Sequence, residues 1–246
     1  VNLELLREER PLVHHMTNEV VMNFTANGLL AFGGSPVMAK EPEEVEDIAS
    51  VAGALVLNIG TVRKEDIETM IKAGQAANKA GVPVLLDPVG AGATSFRKNA
   101  VQRIVDEVDV AVVKGNAGEI AALADIPLNV KGVDADESGD AEEIASRAAG
   151  KLQTLVVVTG ETDVISDGQE RLTSSHGTPL LGSITGAGCL LGSLMAACMS
   201  VEKDHKKAAL FALEFYNRAA ERAAKKVGGP GTFIPHLLDE LGKADG

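Results

Sequence analysis

The feature that most restricts this chain is a repeated exchange between two periodicities. ALVLNIG (54–60), VPVLLDP (82–88) and VAVVKGN (110–116) are short and apolar almost throughout, the pattern of strands buried on both faces. KEDIETMIKAGQAANKAG (64–81) and TSFRKNAVQRIVDEV (94–108) separate them with helical spacing, the first closed by Gly81. A further helix runs from Ala117 to about Ala124. Buried strands joined by helices imply an α/β fold whose mostly parallel sheet is covered by helices on both faces.

The remaining segments extend this pattern. HHMTNEV (14–20) reads as the start of a helix with Thr17 or Asn18 as its cap. Pro42, followed by Glu43 and Glu44, marks another helix start, because proline suits the first turn and acids suit its positive end. Residues 125–140 are polar, acidic and loop-like. After the strand LVVVTG (155–160), DVISDGQERLT (163–173) places Asp167-Gly168 between two short strands, a hairpin signal that predicts an antiparallel edge. Helices are expected from Cys189 to about Ser200 and from about Asp204 to Lys226. No linker divides the 246 residues, so residues 1–246 are expected to form a single domain.

Charge and composition exclude several function classes. A net charge of −12 opposes a basic face for nucleic acid and repels anionic lipid. It does not exclude an anionic ligand, which a local nest of backbone N–H groups can hold. Aromatic residues are 3% and Trp is absent, which argues against stacking platforms for bases. Cys189 and Cys198 lack metal-type spacing. Glu4, Arg7, Glu8, Glu9 and Arg10 do not read as a signal peptide, and no apolar run is long enough to span a bilayer. A cytoplasmic, reduced protein is expected.

Open α/β sheets bind ligands beyond the carboxyl ends of their strands. Asn58-Ile59-Gly60, Asp87-Pro88-Val89-Gly90, Lys114-Gly115-Asn116 and Thr159-Gly160 all fall there. The strongest single signal is SITGAGCLLGSLMAACMS (183–200). Gly186, Ala187 and Gly188 let backbone N–H groups approach an anion, and the following helix start adds unpaired donors and a positive dipole end. Such a turn suits phosphoryl transfer, although it can equally be a tight strand-to-helix turn that binds nothing. Cys189 at this helix start is expected to have a favoured thiolate and so to serve as a base toward a hydroxyl. Cys198, beside Ala196 and Ala197, reads as core. Asn116 and Glu119 have the spacing of a capping box. Asp87 can polarise a turn or serve a metal, and Lys114 can be a solvated strand-end charge or a ligand contact. His14 and His15 are adjacent and point apart, so they form no metal pair. His176, His205 and His236 have no assigned role. No Walker A sequence occurs, and the dinucleotide G-x-G-x-x-G is missing after the early strands.

Seven blocks in one order resemble hydroxyethylthiazole kinases, members of the ribokinase-like group. They are PLVHHMTNEVVMNFTAN (11–27), GGSPVMA (33–39), LLDPVGAGA (85–93), VKGNAGEI (113–120), VVVTGETD (156–163), ITGAGCLLGS (184–193) and GGPGTFIPHLLDEL (228–241). The resemblance implies phosphorylation of the primary alcohol of 4-methyl-5-(2-hydroxyethyl)thiazole with ATP and Mg²⁺, in thiamin salvage. It implies a homotrimer with active sites between subunits. It places Cys189 as catalytic base, where most ribokinase-like kinases carry Asp, and Met38, Gly186 and Asn18 on the substrate side. Lys114 and Thr159 would bind ATP, and Asp87 and Glu119 would serve Mg²⁺ and phosphate. Ala187 stands where the family more often has Thr, and either fits a tight turn. Three rival readings remain: a kinase of the same group for a pyrimidine alcohol or nucleoside, an ATP-dependent NAD(P)H-hydrate dehydratase, and a non-catalytic nucleotide sensor.

Overall fold

The computed structural model describes residues 1–127 and 137–243, with the backbone alone for 137–140. In chain order the elements are α1 (Leu3–Glu9), β1 (Leu12–Met16), α2 (Met22–Phe32), β2 (Ser35–Val37), α3 (Val45–Val51), β3 (Ala54–Asn58), α4 (Lys64–Ala80), β4 (Val84–Asp87), α5 (Ser95–Glu107), β5 (Val112–Asn116), α6 (Ala117–Leu123), α7 (Glu137–Leu152), β6 (Leu155–Thr159), β7 (Asp163–Ser166) and β8 (Arg171–Ser174). A 3-10 turn (Pro179–Ser183) then leads to α8 (Ala187–Val201), α9 (His205–Ala224) and α10 (Pro230–Leu241).

The strands form one sheet in the order β2-β1-β3-β4-β5-β6-β7-β8. Pairing is parallel from β2 through β6 and antiparallel from β6 to β8. The expected antiparallel edge is therefore present, with Asp167 and Gly168 at the hairpin tip. Alternation along β3 divides its side chains between two cores. Leu55 and Leu57 join the layer of α3 to α7, while Ala54 and Val56 join the layer of α2, α8, α9 and α10. All ten residues from Leu190 to Met199 are buried, as expected of a helix that is apolar all round.

Most boundaries follow the sequence. The helix after β3 ends at Gly81 in the left-handed region (φ 73°), and Thr94 and Asp204 cap α5 and α9. Three expectations need correction. His14, His15 and Met16 are not the start of a helix but lie in β1, paired in parallel on both sides. The backbone bonds of two neighbouring strands outweigh a polar, cap-like local sequence. The following helix starts only at Met22, with Val21 rather than Thr17 or Asn18 at its cap. Pro42, Glu43 and Glu44 form a turn ahead of α3, in which the Glu41 carbonyl accepts from both Glu44 and Val45 N–H. Finally, most of the expected 125–140 loop lies outside the described residues, but Glu137–Asp140 belong to α7.

Candidate active site

Four neighbouring strands end side by side. The parallel register sets Asn58 of β3 against Asp87 of β4, and Asn116 of β5 against Thr159 of β6. Over this line of strand ends runs the turn that opens α8. Gly186 takes φ 91°, where a Cβ would lie 2.6 Å from Val21 Cγ1 and 3.2 Å from Phe24 Cδ1. Both the dihedral and the contact restrict this position to glycine. Ala187 and Gly188 then begin the helix, and Cys189 sits in its first turn.

The side chains beneath the turn form one connected set. Lys114 Nζ donates to the Gly188 carbonyl at 2.9 Å and lies 3.2 Å from Asp87 Oδ2. Lys114 is 3% exposed and Asp87 2%, so the solvated-charge reading of Lys114 is overturned. Burial opposes the ammonium, but Asp87, Cys189 and Glu119 together hold its pKa above that of an ordinary lysine. Asn58 Nδ2 donates to Asp87 Oδ2 at 3.0 Å and to Cys189 Sγ at 3.3 Å. Asn18 Nδ2 donates to Asn58 Oδ1 at 3.0 Å and to the same sulfur at 3.5 Å. The expected favoured thiolate is reversed in the free protein. Burial pushes the Cys189 thiol up and the Asp87 charge adds to this, against Lys114 and the two amides.

Asn116 and Glu119 do form the expected capping box. Glu119 Oε2 accepts from Asn116 N–H, and Asn116 Oδ1 accepts from Glu119 N–H, both at 2.9 Å. Glu119 Oε1 also accepts from Gly90 N–H at 2.9 Å, which ties the loop after β4 to α6. A cavity of about 590 Å³ opens beside the turn, lined by Thr159, Gly160, Gly177, Ala187, Gly188 and Tyr216 among others. Thr159 thus lies on this cavity, whereas Lys114 lies beneath the turn. Asn18 and Cys189 bond to each other outside this lining, and half-buried Met38, which follows β2, is outside it as well.

His14 and His15 are both buried with separate partners, the Ala39 carbonyl and Ser193 Oγ, in keeping with side chains that point apart. Cys198 is fully buried, as its apolar setting implies. Sequence reasoning missed three contributors. Asn58 stood out only as a strand end. Tyr216 OH donates to the Ala187 carbonyl at 3.0 Å, and Asn217 Nδ2 donates to Asp163 Oδ2 at 2.7 Å while Asp163 Oδ1 takes Gly160 N–H. Tyr216 and Asn217 lie in an amphipathic helix whose pattern marks them only as inward-facing.

A mostly parallel sheet with a left-handed glycine turn above its strand ends, opening onto a nucleotide-sized cavity, defines an α/β phosphotransferase of ribokinase-like fold. The profile of the hydroxyethylthiazole kinase family matches residues 3–245, and the chain belongs to that family. Hydroxyethylthiazole kinase 1 of Oceanobacillus iheyensis is 51% identical over 243 residues, which cover 98% of this chain and 95% of that protein. The solved hydroxyethylthiazole kinase of Pyrococcus horikoshii is 42% identical with a TM-score of 0.90, over 98% of this chain and 91% of that one. A ribokinase-like superfamily protein from Enterococcus faecalis shares the fold at 12% identity and a TM-score of 0.69, over 98% and 94% of the two chains. This chain is accordingly a kinase that phosphorylates the thiazole alcohol with ATP as co-substrate. Membership in this family sets aside the three rival readings.

Proposed function

We propose that residues 1–246 act as one kinase unit that transfers the phosphoryl group in line, with the residues around the glycine turn dividing the work. The observation that carries this reading is the meeting of Cys189 Sγ, two amide donors and the N–H groups of a helix start within one turn. ATP occupies the cavity lined by Thr159 and Gly188, and Lys114 holds the turn from below through the Gly188 carbonyl. The N–H groups of Gly186, Ala187, Gly188 and Cys189 face the transferring phosphoryl group and stabilise its charge. The alcohol approaches from the side of Asn18, Gly186 and Met38. Cys189 takes its proton late or orients it. Phosphoryl transfer draws mainly on positioning and charge stabilisation, so a thiol with a raised pKa still suffices.

The donor chemistry suits Mg²⁺, with unequal parts for the two carboxylates. Glu119 gives each oxygen to one backbone N–H, which leaves lone pairs for the ion or its waters. Asp87 is buried against Lys114 and Asn58, so it serves through charge more than through open coordination. Among the described residues no group of three His, Cys, Asp or Glu could hold a metal. That fits an ion that keeps waters and takes substrate phosphates. Bound Mg²⁺ supplies neutralisation of phosphate charge. Glu119→Gln is expected to raise the Mg²⁺ requirement more than it changes thiazole binding, and unchanged dependence would reduce Glu119 to its cap.

We also propose a cytoplasmic homotrimer. Among the described residues no helix is long and apolar enough to cross a membrane. The function is tested by ³¹P NMR of the protein with Mg·ATP and the thiazole. A new thiazole phosphate resonance is expected, and ADP formed at the same rate without the thiazole would overturn the reading.

A further inference from the structure

We infer that Asn58 is a positioning residue for the transfer, holding Cys189 Sγ through its amide and joining it to the Asp87–Lys114 pair. The inference rests on the reading of Cys189 as proton acceptor.

Asn58 is 2% exposed, and both ends of its amide are committed. Oδ1 accepts from Gly60 N–H at 2.9 Å and from Asn18 Nδ2 at 3.0 Å. Nδ2 donates to Asp87 Oδ2 at 3.0 Å and to Cys189 Sγ at 3.3 Å. The two amide ends cannot be exchanged. Backbone N–H only donates and a carboxylate only accepts, so Gly60 fixes the oxygen and Asp87 fixes the nitrogen. The strand register fixes the side chain as well, since Asn58 and Asp87 are paired residues of β3 and β4. Nδ2 therefore reaches the sulfur from a site locked at three other points. With Asn18 as a second donor, the sulfur is held as an acceptor, the role it takes when it receives a proton.

A strand-end asparagine needs only its oxygen to bond the N–H two residues on, and many such residues do no more. The donor end separates the two roles. Asn58→Asp keeps the acceptors for Gly60 and Asn18 and removes the amide donors. Asn58→Ala removes both ends without adding charge near Asp87, so it carries the comparison if the Asp variant melts.

The experiment is a double-mutant cycle. kcat and both KM values are measured for wild type, Asn58→Asp, Asn58→Ala, Cys189→Ala and the two doubles, with thermal melts for each. Loss of the donors should lower kcat by about tenfold in the wild-type background, as expected for hydrogen bonds to a charged acceptor. In the Cys189→Ala background the same change should cost less than about twofold, because the group through which Asn58 acts is gone. KM for ATP should stay within about twofold in either background, because only a transition-state contact is removed. Equal losses in both backgrounds, or an unchanged kcat, overturn the role of Asn58 and leave Cys189 untouched. An unchanged kcat in Cys189→Ala itself overturns the acceptor reading, and the inference falls with it.

Discussion

At the start of α8 the Cys189 thiol is subject to opposing influences. The helix end, Lys114 and two amide donors favour the thiolate, while burial and the Asp87 charge disfavour it and prevail. A neighbour such as Asp87, 102 positions away in the chain, is invisible to spacing arguments, which is why position alone suggested a lowered pKa. The sign of the pH effect follows. On the proposed role of Cys189 the proton acceptor is its ionised form, and its pKa lies above the ordinary cysteine value. kcat should therefore rise from neutral into alkaline pH, and Cys189→Asp, ionised throughout, should flatten that rise. Superimposable profiles would show that Cys189 does not titrate in catalysis. The order of variants gives a second check. General-base catalysis is worth about 10²–10⁴-fold, and phosphoryl transfer should use the low end or less. Cys189→Ala and Cys189→Ser should lose activity together, while Cys189→Asp keeps a substantial share. Cys189→Ser near wild type beside a folded, inactive Cys189→Asp would point to packing. The strand-end rule and the glycine turn singled out Cys189, Lys114, Asp87 and Thr159, which the fold gathers at one end of the sheet, while Glu119 stood out only as a cap and through the family resemblance. What each one touches was not, because those contacts cross between elements.

Elements were legible wherever one periodicity ran long enough, as in α4 with its Gly81 cap and in β3, β4 and β5. The failure at 14–16 has a physical cause. A five-residue strand carrying two histidines shows no apolar run, and it is bound by pairing with β2 and β3 that local sequence does not encode. Two element-scale expectations follow. Gly186→Ala places a methyl group against Val21 and Phe24 at a left-handed dihedral, a strain of roughly 1–3 kcal/mol. Relief must move the turn, so kcat should fall far more than the melting temperature, and retained activity would show that the turn tolerates displacement. The other concerns α10. Glu240 is 1% exposed and binds Arg222 at 2.9 Å, Lys243 at 2.5 Å and Lys226. Burial opposes its charge, yet the three cations pull its pKa down to about 2. A depressed carboxylate stabilises the fold above its ordinary value near 4.5 and loses that contribution as pH falls toward 2. Glu240→Gln should cost roughly 1–3 kcal/mol at neutral pH, the worth of hydrogen bonds to a charged group. The gap between the two melting temperatures should close across that acid window. A gap that stays constant with pH would assign the loss to packing.

At the scale of the molecule, the two sides of the glycine turn are unequally enclosed. The side on which we place ATP has a cavity of about 590 Å³. On the Asn18 side, the cleft bounded by Met16, Thr17 and Asn58 has about 20 Å³, room for about one water. A thiazole ring does not fit in that cleft, so the proposed trimer would complete the substrate pocket with walls from a second chain. Apolar side chains stand ready nearby, since Val20 is 69% exposed just before α2 and Leu30 is 48% exposed on it. Exposed aliphatic groups on a chain of net charge −12 favour association through apolar contact, against like-charge repulsion. Added salt screens that repulsion and should therefore strengthen a trimer. Leu30→Asp tests the arrangement, because Leu30 is an exposed apolar residue of α2, the helix whose first turn meets Gly186 through Phe24. If subunits share the site, sedimentation of Leu30→Asp should show smaller species. Its thiazole KM should rise by about tenfold or more, as for loss of an interface anchor. ATP binding, which the proposed function places in the cavity of one chain, should change little. Sedimentation of the unaltered protein as a monomer with full activity, or a Leu30→Asp monomer with an ordinary thiazole KM, would mean that one chain builds the substrate pocket alone.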